Sequence, residues 1–151
     1  MKLAKSAVVT SVLLLFSSSF ALADNCTGTD LHVTRTFETT DLGQGHTISV
    51  WKAYSQTVSA DSNIGGMTGE CSGAVLATPD GKTQSMGYCV RRDKDGDTYS
   101  ASWHRASGAD TGTWKRIAGT GKFEGTQASG WWKRAWGDGA MSANRWGGTC
   151  Q

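Results

Sequence analysis

From residue 24 onward the chain is built of short runs in which apolar or β-branched residues alternate with polar ones, punctuated by Gly and Asp clusters. Such alternation has the period of a strand with one face buried. Leu31 to Thr40 reads as a first strand, with Val33, Arg35 and Phe37 on one face and Thr34, Thr36 and Glu38 on the other. His46 to Ser59 reads as a second, long strand after the loop Asp41 to Gly45. Ile48 and Val50 mark one of its faces and Trp51 and Ala53 the other, which predicts a bulge or burial on both sides. Thr68 to Thr78 and Lys82 to Arg92 form a hairpin around Pro79-Asp80-Gly81, a strong turn sequence. Thr98 to Ala106 follows the turn Asp93 to Asp97, and Thr113 to Ala118 follows a turn at Ser107 to Gly112. Phe123 to Trp136 holds one or two strands with kinks at Gly125 and Gly130, and Ala140 to Trp146 is the last. No helical apolar pattern of ten residues occurs in this part. About eight strands at hairpin spacing predict an all-β antiparallel fold, barrel or sandwich. A closed barrel of about eight strands suits a chain with few Pro or Lys gatekeepers, because closure removes the edges.

The first 23 residues have a different character. Lys2 and Lys5 precede an apolar run, Ala7 to Phe16, and Ala21-Leu22-Ala23 has the small-x-small pattern of a cleavage site. This reads as a secretory signal peptide, cleaved after Ala23, followed by one domain over 24–151. The run is shorter than the roughly 20 apolar residues of a membrane span, so no integral helical segment is expected. The expected location is the periplasm or the exterior. Without Lys2 and Lys5, 13 Lys+Arg face 13 Asp+Glu. A phosphate-binding surface normally shows a basic excess, so nucleic acid is not an expected partner.

Composition fills in the interior. All 20 Gly lie after residue 23, a share about twice the usual one of roughly 7%. Leu occurs there only at Leu31, Leu42 and Leu76, whereas all seven Trp fall in this part. The core is therefore expected to be aromatic.

Cys26, Cys71, Cys89 and Cys150 are an even set in an exported chain, which implies disulfides. Counting outward from Asp80, Cys71 and Cys89 each lie nine residues away, directly opposite in the hairpin. That assigns Cys71–Cys89 and, by elimination, Cys26–Cys150, a bridge worth up to about 4–5 kcal/mol on the chain-entropy model. No CxxC motif is present, which disfavours thiol redox chemistry and a zinc ribbon.

Ile117-Ala118-Gly119-Thr120-Gly121-Lys122-Phe123-Glu124-Gly125-Thr126 resembles the glycine-rich segment of the allene oxide cyclase and dirigent-like β-barrels. Gly87-Tyr88-Cys89 and Asp93 to Asp97 extend the resemblance over about residues 69–130. It implies an eight-stranded antiparallel barrel whose cavity holds an apolar or aromatic small molecule, and in some members shapes that molecule for cyclisation or coupling. The Trp content and the paired cysteines depart from the group, and no catalytic set carries over residue by residue.

Several residues are candidates for a site. Trp103, Trp114, Trp131, Trp132, Trp136 and Trp146 lie within 44 residues. Adjacent Trp131 and Trp132 must point to opposite faces of a strand. Packing is the ordinary use of such rings; the functional use is to line a cavity or a carbohydrate-stacking surface. Trp51, Trp103, Trp131, Trp132 and Phe123 are the ligand-binding candidates. His104 and Glu124 form a candidate acid–base pair, with Glu70 a further wall carboxylate; surface charge is the ordinary reading of each. Asp93-x-Asp95-Gly96-Asp97 lacks the spacing of an EF-hand, and an ordinary Asx-type turn is the simpler reading. His32, His46 and His104 show no zinc spacing. No metal and no cofactor is expected, and no hydrolase or phosphate-loop motif occurs. The expected function is to bind a small apolar or aromatic molecule, with isomerisation or cyclisation of it left open. The alternative is a Trp-rich carbohydrate- or protein-binding module without catalysis.

Overall fold

The structure is a computed structural model that describes residues 24–61 and 64–150. The signal-peptide reading falls on residues outside these. Eight strands, β1 (Asp24–Gly43), β2 (His46–Ala60), β3 (Thr68–Ala77), β4 (Thr83–Arg92), β5 (Thr98–Arg105), β6 (Gly112–Gly119), β7 (Ala128–Gly137) and β8 (Met141–Cys150), follow one another in sequence order. Each pairs antiparallel with its neighbours, and β8 pairs back onto β1 to close the barrel. Both expected disulfides are formed. Cys71 and Cys89 face each other across β3 and β4, and Cys26–Cys150 ties the two closing strands.

Boundaries differ from the sequence reading where tertiary pairing extends a strand. β1 begins at Asp24 and β8 runs to Cys150 because each supplies the other's ladder. Phe123 lies in a short 3-10 turn (Gly121–Phe123), and β7 begins only at Ala128. The turn drives the Phe123 ring under the barrel end, where it is 1% exposed. Ile64, Met67, Tyr99, Trp114, Trp146 and the Cys26–Cys150 bridge join it in an apolar cluster that closes that end.

Bulges decide which residues face inward. In β1 the register slips between Thr34 and Thr36, so Arg35 is the extra residue. The inward set is therefore Asp30, His32 and Thr34 before the slip and Phe37 after it, and Val33 faces outward. The simple alternation of Val33 with Phe37 fails for that reason. A second slip between Arg134 and Trp136 turns Trp136 outward, leaving Arg134 on the inner face. In β2, Ser49, Trp51 and Ala53 face the interior while Val50 is exposed.

One ladder row explains why Gly and Trp are both abundant. It runs Phe37–Trp51–Gly73–Gly87–Trp103–Trp114–Gly130–Gly148–Cys26 through all eight strands. It starts at residue 37 of β1 and returns at residue 26, an offset of 11 residues. With about 3.3 Å of rise per residue and about 4.8 Å between strands, that stagger tilts the strands by about 40°. Within the row, the indole of Trp103 lies over Gly73 and Gly87. Trp132 likewise lies over its partner Gly112, and Trp146 over Gly28. A methyl group at Gly73 would sit 2.5 Å from Trp103 Cζ2 and 2.8 Å from the Met86 carbonyl oxygen.

Overpacking of this kind costs about 1–3 kcal/mol. Gly73→Ala is expected to lower the unfolding free energy by at least that range, because backbone as well as indole must move. Urea denaturation of the oxidised protein measures it, and an unchanged midpoint would count against the packing described.

Candidate functional site

The barrel interior holds a cavity of about 510 Å³. Its walls come from inward positions of β2, β5 and β7, where Trp51, Trp103 and Trp132 meet. Trp51 stacks on Trp103 with ring centroids 5.6 Å apart and planes 19° from parallel. The stack forms across two intervening strands because those strands offer only Gly73 and Gly87 at that level. Trp132 meets Trp103 edge-on at 5.7 Å. Trp114, Trp146 and Tyr99 line the deeper part, and exposed Phe37, Arg134 and Gly139 contribute to the lining.

The cavity also carries a compact polar cluster. Asp30 of β1 and Arg91 of β4 form a buried ion pair, Nη2 to Oδ2 at 2.6 Å, and Thr57 Oγ1 donates a hydrogen bond to Asp30 Oδ1 at 2.8 Å. The hairpin register puts Arg91 there: it lies two residues beyond Cys89, on the same inward face. His32 stands two residues beyond Asp30, opposite Ser55. Burial, and next the Arg91 guanidinium, pull its imidazole down to about 4, so the ring is neutral at pH 7. Burial pushes the Tyr99 phenol up to about 12. His32 Nδ1, Ser55 Oγ, Arg91 Nε and the indole nitrogens of Trp132 and Trp146 are buried and make no hydrogen bond among the described residues. His32, Arg91, Trp132 and Trp146 line the cavity, so a molecule with one or two polar groups on a flat ring could use their donors and acceptors.

The sequence-derived candidates divide. Trp51, Trp103 and Trp132 come together in the wall. Trp131 is 45% exposed on the outer face, and Phe123 is buried against Tyr99 rather than in the cavity lining. His104 and Glu124 are both exposed and do not line the cavity. His104 sits between Trp103 and Arg105, so the inward turn of those two sends it outward. Glu124 follows the 3-10 turn that buries Phe123. Glu70 is exposed and pairs with Arg35 at 3.0 Å. In the Asp93 turn, Asp93 Oδ1 accepts the N–H groups of Asp95 and Asp97, and Lys122 Nζ lies 2.5 Å from Asp93 Oδ2. The glycine-rich segment and the acidic turn are thus tied to each other. Among the described residues, no three His, Cys, Asp or Glu side chains gather as a metal site.

Sequence reasoning missed Asp30, His32, Arg91, Tyr99, Arg105 and Arg134. Part of the signal was present. Once Cys89 and Trp103 are placed inward, period-two alternation carries Arg91, Tyr99 and Arg105 inward with them. Arg134 lies two residues from Trp132 and follows the same rule.

No family model matches the chain, and no curated protein does. A solved structure does. The barrel is similar to that of a dirigent protein. The structure of the pterocarpan synthase dirigent protein GePTS1 aligns with a TM-score of 0.53 at 12% identity, covering 95% of this chain and 98% of that one. At that identity the likeness is one of fold. It supports the dirigent-like part of the resemblance carried by Gly119 to Gly125.

Two outcomes are expected. Removing one member of a buried ion pair costs about 3–5 kcal/mol, because the other charge is left uncompensated. Asp30→Asn is expected to destabilise by that order, and Asp30→Asn with Arg91→Met by clearly less, as measured by urea denaturation of each variant. The second concerns acid. The pKa of His32 is lower in the folded state than its unfolded value of 6.5, so the unfolded chain takes up the extra proton. Stability is therefore expected to fall by a few kcal/mol from about pH 7 to about pH 4, and His32→Gln should flatten that slope.

Proposed function

We propose that this protein binds a small aromatic molecule inside its barrel and guides its isomerisation or cyclisation by holding it in one conformation. One observation carries the reading: a cavity of about 510 Å³ whose wall holds a group of contacting indoles and whose lining includes a buried Asp30–Arg91 ion pair. The volume lies within the roughly 300–1,000 Å³ of ordinary small-molecule sites. Flat walls fix the plane of a ring, and a fixed ion pair favours one direction of charge within that plane. The dirigent-like fold supports the same reading. Two disulfides support export to an oxidising compartment.

The second reading, a carbohydrate- or protein-binding surface, draws on Trp131 and Trp136, which are 45% and 48% exposed on β7. The two readings separate by mutation. Titration with bicyclic aromatic probes such as naphthylmethanol and naphthoate is expected to give saturable quenching of Trp fluorescence. Trp51→Leu should weaken binding about tenfold, equivalent to about 1.4 kcal/mol. Trp131→Ala should leave it unchanged. Absence of saturation with every probe would overturn the cavity reading. Loss of binding with Trp131→Ala alone would favour the surface.

A further inference from the structure

The charge of the cavity differs from that of the chain around it. Acids and bases balance from residue 24 onward, at 13 each. The cavity lining contains Arg91, Arg105 and Arg134 but only one carboxylate, Asp30. Arg91 is matched by Asp30, whereas Arg105 and Arg134 have no acidic partner among the described residues. The acids of the neighbouring loops are engaged in their own turns. Asp41 accepts the Gly43 N–H at 2.8 Å, Asp80 pairs with Lys82 at 2.6 Å, and Asp138 accepts the N–H groups of Ala140 and Met141. Asp110 is exposed and does not line the cavity.

The two unmatched guanidiniums line the same cavity, one of them over the Trp132 ring. Arg105 donates from Nη2 to Thr83 Oγ1 at 2.9 Å, and its Cζ lies 5.8 Å from the centre of the Trp132 ring. Its Nε is buried without a hydrogen-bond partner. Arg134 follows Trp132 on the same inner face of β7, two residues or about 7 Å along the strand. Arg105 is thus held by Thr83 and the indole with donors to spare, and Arg134, exposed to solvent, lines the same cavity from β7. Planar guanidinium groups fit carboxylates by paired N–H donors. Burial is the main cause of the depressed titration of His32; the Arg91 and Arg134 guanidiniums lower it further and the Asp30 carboxylate opposes them.

We infer that the ligand is an aromatic carboxylate, its ring against Trp51, Trp103 and Trp132 and its carboxylate held by Arg105 and Arg134. The inference rests on the cavity reading proposed above and names the chemical class it selects. A neutral aromatic would leave two cations unmatched at the mouth, and a cationic one would be repelled by them.

Three probes of equal ring size test it: naphthoate, naphthylmethanol and naphthylmethylammonium, titrated against the oxidised protein by Trp fluorescence. Naphthoate is expected to bind at least tenfold more tightly than the alcohol, with the ammonium weakest. The preference should shrink as salt rises, because the mouth is open to solvent screening. Arg105→Gln with Arg134→Gln should bring the naphthoate-to-alcohol ratio towards one. Arg134→Glu, at an exposed position where folding is not at stake, should reverse the preference towards the ammonium. Near-UV dichroism confirms that each variant is folded. Equal binding of naphthoate and alcohol, or a preference that survives the double variant, overturns the inference and leaves the cavity reading standing. If no probe binds, both fall.

Discussion

The structure depends on large rings placed opposite residues with no side chain. An indole is too wide to share a curved barrel wall with another full side chain at the same level, so Trp103 lies over Gly73 and Gly87, Trp132 over Gly112 and Trp146 over Gly28. The ladder row that carries the two Trp103 contacts runs through all eight strands. Its two glycine pairs separate the Trp positions into neighbouring groups. The same device that makes close packing possible also makes the cavity. Glycines between Trp51 and Trp103 let those rings meet face to face, and the space beyond them is left open rather than filled by aliphatic side chains.

An interior built this way is apolar at its walls and closed end yet holds charge within. The ends differ for a local reason. The 3-10 turn and the β2–β3 loop bury Phe123, Ile64 and Met67, which seal one end with the Cys26–Cys150 bridge nearby. Away from that end the lining includes Phe37, Thr83 at the start of β4, Arg105 at the end of β5, and Arg134. Buried charge inside is tolerated at Asp30 because it has both a guanidinium and a hydroxyl donor. Arg116 is buried over the Tyr99 and Phe123 rings, and Lys122 links the glycine-rich segment to the Asp93 turn at the surface.

Much of the fold was legible from local pattern. The turn at Asp80 placed Cys71 opposite Cys89, and the structure pairs those residues in that register. The site was less legible, and the reason lies in register. Strand alternation says that Trp103 and His104 point apart, but not which of them points inward. The bulge at Arg35 inverts the phase of β1 midway, so Val33 and Phe37, two of the three residues grouped there by alternation, end on opposite sides. Asp30 and Arg91 are 61 residues apart in the chain and meet only because the pairing of β1, β2, β3 and β4 brings their inward faces together. No spacing rule anticipates such a contact.

The amino-acid sequence alone determined that this chain forms strands, turns at its Gly and Asp clusters, cross-links its cysteines in pairs and uses Trp for its core. These are consequences of period-two patterning, turn chemistry and composition, which act over a few residues. Closure, stagger and the position of each bulge were decided by the tertiary structure, because they depend on all eight strands fitting round one axis. That fit selects the face each side chain takes. It therefore decided which charged residues look into the cavity and which look out.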